Sequence, residues 1–312
     1  MKLIQFKEGQ YNSQPDPFIL KGNDGKFYIY VSGHDGVRAF VSESLFGEYS
    51  EIGIVFSVEG KKEYWAPSVI FIDGKYYMYV SFVNDGEEDM HEQTMHSACA
   101  DTPVGPFVNP TPIISPFSID SHVVSTEAGL FIFYSTNDYD AARTGTYIVV
   151  DKMKSPTEAL GNPVAVVRPT LDEEIFMKNR FGDGRDWHTI EGAFYFREGN
   201  HHYVMYSGNC YQNEYYFLGY SYAYSEERDL TKIKFEKMPS NDIYAPVIAK
   251  NEFEAGTGHN SVIKEAGEYW CIYHGRDIPP DSRIEGDTRT ARICKLVLDG
   301  KNLTAERYEN KI

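Results

Sequence analysis

The chain of 312 residues could hold one large domain or two of about 150, and its ordinary charged fraction (24%) and healthy apolar fraction (42%) argue against disorder. A formal net charge of −16 argues against a nucleic-acid partner and against adhesion to anionic membranes, because Lys and Arg drive both; neutral substrates stay open. The 24 Tyr and 19 Phe favour strands over helices.

The first residues, MKLIQFKEGQ, contain no apolar run long enough for a signal peptide, and no later stretch approaches a membrane span. The chain as given therefore reads as cytoplasmic. Leu3-Ile4-Gln5-Phe6 is expected to pair with the last strand of the fold. Asp16 then opens a pattern that recurs at a spacing of roughly 50 to 70 residues. A residue capable of chemistry comes first, then a short apolar run, a Gly-bearing turn and an aromatic run. The first copy runs from Asp16 through PFIL and NDGK to the aromatic stretch at Gly25. The second runs from Trp65 through APSVIFI and IDGK to Gly74. The third starts at Asp120 and reaches Gly129, the fourth starts at Glu191 and reaches Gly199, and the fifth starts at His259 and reaches Gly267. Gly-bearing turns between apolar runs predict hairpins, and apolar runs on both sides predict strands buried on both faces.

A further strand repeats in each copy: Val41–Tyr49 aligns with Cys99–Phe107, and counterparts follow Gly145, Phe217 and Thr290. No segment carries a convincing helical period. Five units of about four antiparallel strands predict an all-β fold, a five-bladed β-propeller in a single domain over 1–312. In such a ring the residues that open the first strands gather at one mouth, which would bring Asp16, Trp65, Asp120, Glu191 and His259 together. The charged segment from Asp172 to Trp187 is expected to cover that mouth, with His188 beside Glu191 as a substrate contact. Asp85, Glu87, Glu88 and Asp89 lack the order of a calcium loop. His91, His96, His201 and His202 lack zinc spacing, and the four Cys lack CxxC spacing and read as buried thiols.

Three acids around one pocket suggest glycoside hydrolysis. That reaction needs a protonated acid for the leaving oxygen and a carboxylate that activates water or attacks. The donor must stay protonated near neutral pH, through burial or a second carboxylate. An unpaired Glu191 among Ile190, Ala193 and Phe194 would be costly without such a function.

The stretches Asp16-Pro17, Trp65-Ala66-Pro67-Ser68-Val69, Ser118-Ile119-Asp120-Ser121-His122, Ile190-Glu191-Gly192 and Gly258-His259-Asn260-Ser261, in this order, resemble the motifs of glycoside hydrolase family 43. The resemblance implies a five-bladed propeller that inverts anomeric configuration and acts as α-L-arabinofuranosidase, arabinanase or β-xylosidase. It implies Asp16 as general base, Glu191 as general acid and Asp120 as the acid that raises the donor's pKa. It gives Arg289 a contact to sugar hydroxyls, with Arg292 as the rival, and His259 a place near a hydrated cation, often calcium, or a water. Trp65 and Ile119 would line the sugar site. Ser121 stands where the family often has Pro, which bears on substrate more than on catalysis. The expected substrate is a short arabinose- or xylose-containing oligosaccharide, with no organic cofactor. β-Xylosidase activity and a non-catalytic sugar- or protein-binding propeller are the alternatives. Fructan hydrolases rank lower, because their Asn-Asp-Pro-Asn and Arg-Asp-Pro motifs are missing.

Overall fold

The computed structural model describes residues 2–9, 11–278 and 288–307. Among them the chain is all-β: the helical elements are three short 3-10 turns, Met90–Glu92, Asp172–Glu174 and Leu230–Lys232. The strands form five antiparallel units in chain order. The first consists of Phe18–Lys21, Phe27–Val31, Val37–Ser42 and Glu48–Phe56, each hydrogen-bonded to the next. The others open with Lys61–Ile72, Ile119–Thr126, Trp187–Glu198 and Glu254–Glu265 and repeat the same up-and-down order. A short parallel ladder, Gly145 to His188 and Thr146 to Thr189, joins the third and fourth units into one ten-stranded sheet.

The aromatic runs explain how the units pack. In a strand, alternate side chains point to opposite faces. Tyr28 and Tyr30 pack on the second unit with Val69, Met78 and Val80. Their neighbours Phe27, Ile29 and Val31 pack the other way, against Trp270, Ile272 and Ile293 of the fifth. The same two-sided burial joins second to third, third to fourth and fourth to fifth units. Each fully buried Phe, Ile or Val contributes roughly 1.5–3 kcal/mol. The opening strands also touch in order, and the fifth touches the first. The N-terminal segment crosses the same junction. Lys2–Leu3 pairs with Thr290–Asp299 of the fifth unit, whereas Gln5–Phe6 runs parallel to Glu48–Phe56 of the first. The expected pairing of Leu3-Ile4-Gln5-Phe6 is thus shared between two units. Its fifth-unit partner is Thr290–Asp299 rather than the last strand: Asn302–Glu306 pairs with residues 295–299 of that strand, and Lys2–Leu3 takes Arg292 and Ile293.

At an equivalent place on, or just before, each opening strand stands a left-handed residue: Asp16 (φ 52°), Ala66 (φ 44°), Asp120 (φ 59°), Gly192 (φ 66°) and His259 (φ 43°). In units two to five the ladder register breaks there, as in a β-bulge. Such a conformation costs a non-Gly residue roughly 1–2 kcal/mol, and a side chain of the preceding unit helps offset it. The Ala66 N–H donates to Ser32 Oγ (2.8 Å), the Gly192 N–H to Asp120 Oδ2 (3.0 Å) and the His259 N–H to Ser207 Oγ (2.8 Å). The Asp16 N–H donates to His274 Nδ1 (3.1 Å), so this contact links the fifth unit back to the first. Trp65 and Glu191 are therefore not in register with Asp16, Asp120 and His259. They sit one residue earlier, level with Ile119 and Gly258, and in a strand one residue turns a side chain to the other face.

Candidate active site

The bulges bend the opening strands so that their first residues line one cleft of about 300 Å³. Asp16, Trp65, Ile119, Asp120, Glu191, His259 and Arg289 all border it. His188 does not. It is buried, its Nε2 lies 2.9 Å from Arg143 Nη1, and it borders a separate surface groove with Asp172 and Asp186. Gly145 pairs with it and packs against its backbone. The segment from Asp172 to Trp187 likewise does not border the cleft. Part of it, Ile175–Met177, pairs with the strand that carries Glu191. Arg292, the rival of Arg289, is fully buried with Glu254 and reaches Asp277 instead.

Asp16 is held ionised. Burial alone would push its carboxyl up, but the Arg289 guanidinium above all holds it well below the ordinary carboxylate range. Arg289 Nη1 lies 3.3 Å from Oδ1, and the Ser32 hydroxyl donates to Oδ2 at 2.6 Å. Burial keeps both imidazoles neutral, His274 down to about 3, so Arg289 is the cation that faces Asp16 at neutral pH. The Tyr211 ring in turn carries the Arg289 guanidinium at 4.9 Å.

Glu191 and Asp120 are pushed the opposite way. Burial, and the Asp16 charge after it, raise Glu191 to about 7, against the pull of a hydrogen bond from the Tyr216 hydroxyl and of Arg289. Asp120 goes well above its ordinary value through burial, then through Glu191 and Asp16, opposed by its bond from the Gly192 N–H. Two carboxyls sharing a buried site cannot both ionise freely, so the pair retains a proton at neutral pH. The site thus sets an ionised carboxylate beside a carboxyl that still carries a proton.

The residue pattern did not reveal three contributors to the cleft. Tyr216 donates to Glu191 Oε1 at 2.7 Å and stacks on His274, with centroids 5.8 Å apart and planes at 9°. Gly258 makes room for it: a Cβ there would lie 1.9 Å from the Tyr216 ring. Glu63, left-handed at φ 57°, accepts from Trp65 Nε1 at 3.0 Å and meets His34 Nδ1 at 2.6 Å, which fixes the indole wall. Tyr211 supports Arg289. All three lie outside the repeated motifs; a Gly just before His259 was the one available hint of a large ring packed there.

Tyr216→Phe is expected to leave the fold intact and to move the alkaline limb of the pH–rate profile upward. The hydroxyl lowers the Glu191 pKa, so its loss raises it. A profile that stays in place would remove Tyr216 as a tuning group.

A calcium ion requires about six to eight oxygens. Below the cleft, beneath His259, lies a void of about 10 Å³ bordered by Pro17, Ala66, Ala193 and Phe194, room for about one water. Asn260 Oδ1 is buried without a partner there, and His122 Nδ1 already accepts the Tyr195 N–H. Among the described residues no three His, Cys, Asp or Glu side chains converge to hold a metal. This donor set does not fit a directly ligated calcium ion.

Comparison with known proteins agrees with this architecture. The chain is 26% identical over 94% of its length to an extracellular exo-α-(1→5)-L-arabinofuranosidase of Streptomyces avermitilis, and it spans 61% of that protein. It is 24% identical to xylosidase/arabinosidase 43A of Humicola insolens, with 94% of this chain and 96% of that protein covered. The crystal structure of a thermostable family-43 glycoside hydrolase superposes with a TM-score of 0.77 at 25% identity, covering 97% of this chain and 96% of the other. The cytoplasmic expectation finds no support among these relatives. A family model, Glycosyl hydrolases family 43, matches residues 11–301, in one span that includes Asp16, Asp120, Glu191, His259 and Arg289, and by that match the chain belongs to glycosyl hydrolase family 43.

Proposed function

We propose that this protein is an inverting, exo-acting glycoside hydrolase that releases a pentose, α-L-arabinofuranose by preference, from short oligosaccharides. Asp16 is the general base, Glu191 the general acid and Asp120 the neighbour that keeps Glu191 protonated. The five units are the blades of one closed five-bladed propeller forming a single catalytic domain; the contacts between fifth and first units support this. Glu191 gives its proton to the glycosidic oxygen as the bond from that oxygen to the anomeric carbon breaks. Water attacks the anomeric carbon from the other side and loses its proton to Asp16. Arg289 and the Trp65 wall orient the sugar.

One observation carries this reading: carboxyls pushed in opposite directions face the same cleft, Asp16 down and Glu191 up to about 7. An acid and a base that must act together at one pH need such a split. The surroundings of Asp16 and of Glu191 support the roles given to these two. The arabinofuranosidase preference rests on the Streptomyces relative. The Humicola relative, named for both sugars, favours β-xylosidase as the second reading.

The test is hydrolysis of a panel of aryl arabinofuranosides and xylopyranosides, with proton NMR of the first-formed sugar. Release of arabinose of inverted anomeric configuration is expected. Retained configuration would overturn the inverting assignment, and preference for the xyloside would move the protein to the second reading. Release of neither sugar would remove the hydrolase reading.

A further inference from the structure

The cleft of about 300 Å³ lies at the lower end of the range for small-ligand sites. The part of an oligosaccharide beyond the sugar being released therefore lies on the surface around it. A cluster of rings stands on that surface. Trp187, buried, is the floor; Tyr139 and Phe181 rest on it with centroids 5.3 and 5.6 Å away. Both upper rings leave nearly half their surface in water, 47% and 49%. Arg180 lies over Trp187 at 4.9 Å and over Phe181 at 5.7 Å. Its Nη2 is 3.3 Å from His91 Nε2, and the Asp89 carboxylate lies within electrostatic reach of it.

The cluster does not line the cleft but packs on the elements that do. Trp187 begins the strand that carries Glu191. His91 packs on Phe117, two residues before Ile119 of the cleft. In the same turn Gln93 Nε2 donates to the Glu63 carbonyl at 3.0 Å, and Glu63 borders the cleft.

We propose that Tyr139, Phe181 and Arg180 form a ledge that binds a second part of a neutral oligosaccharide whose terminal sugar occupies the cleft. The proposal rests on the glycosidase reading above. A sugar ring has an apolar C–H face and a rim of hydroxyls. Half-exposed aromatic faces take the first, and a guanidinium whose charge is spread over rings offers N–H donors to the second. Exposed rings rimmed by polar groups beside a binding cleft mark a ligand surface rather than core.

The ledge makes binding depend on chain length. Phe181→Ala and Tyr139→Ala are measured on an aryl arabinofuranoside and on linear arabino-oligosaccharides up to the pentasaccharide. KM for the pentasaccharide is expected to rise about tenfold, or about 1.4 kcal/mol, with kcat and the aryl-glycoside constants unchanged and the melting transition retained. Equal changes on both substrates, or none on either, would overturn the ledge. Calorimetric titration of the pentasaccharide into Glu191→Gln protein, with and without Phe181→Ala, reads the ledge without turnover. Weaker binding with the second substitution supports it, and unchanged binding or no binding to either protein overturns it. Failure of the hydrolase reading appears separately, as no cleavage of any aryl glycoside by the unaltered protein.

Discussion

Glu191→Gln is expected to lower kcat about 10²–10⁴-fold on substrates with poor leaving groups, and far less on nitrophenyl glycosides, whose leaving oxygen needs little protonation. Gln keeps the shape of the side chain and can accept the Tyr216 hydroxyl, so the fold survives. The pH behaviour follows from the same group. In the unaltered enzyme activity falls as pH rises through about 7, because Glu191 then loses the proton it must donate. Stability follows the same sign. A carboxyl raised in the folded state contributes stability fully present below its unfolded value and lost as pH rises through about 7. The shift from 4.5 to about 7 corresponds to on the order of 3 kcal/mol. Glu191→Gln removes that loss, so its melting temperature, measured against the unaltered protein, is expected to gain more at pH 8 than at pH 5. Equal gains at both values would mean that Glu191 is not held protonated, and undiminished turnover of poor leaving groups would remove it as the acid.

Asp16→Asn is expected to lower kcat by a comparable factor, about 10²–10⁴, on good and poor leaving groups alike, because water must be activated in either case. That difference in leaving-group dependence separates base from acid. Asn tolerates the left-handed backbone at φ 52° and can accept the Ser32 hydroxyl. Removing the Asp16 charge also withdraws one of the influences that raise Glu191, so the residual activity should lose its alkaline limb at lower pH. A variant with full activity, or one whose loss is confined to poor leaving groups, would deny Asp16 its assigned part.

The repeat was legible because each hairpin declares itself locally. The turn at Gly25 and the aromatic run Phe27–Val31 already imply a strand buried on two faces, and Phe27, Ile29 and Val31 do pack opposite to Tyr28 and Tyr30. The motif carboxylates were legible too, because they stand eight or nine residues before the glycines of those turns. His188 was misplaced for a related reason. Closeness in sequence to Glu191 says little in an extended strand, where residues three apart point to opposite faces and lie about 10 Å apart. The register of Trp65 and Glu191 was missed by one residue, since a left-handed bulge leaves no mark on Ala66 beyond an unremarkable side chain. Tyr216 and Tyr211 lie on a connection that no other unit copies, and Glu63 precedes the repeated motif on its strand, so periodicity could not single them out.

Composition and local pattern alone determined that this chain is built of two-faced antiparallel hairpins, that five of them recur, and that Asp16 and Asp120 occupy matching positions with Glu191 within one residue of the same place. The tertiary structure decided the rest: which carboxyl loses its proton, which keeps it, and which side chains hold them so. Strand pattern is a property of neighbours along the chain, fixed by backbone geometry and burial. Protonation depends on the charges and hydrogen bonds around a buried group, and here Arg289 beside Asp16 and Tyr216 beside Glu191 arrive from residues 273 and 25 positions away.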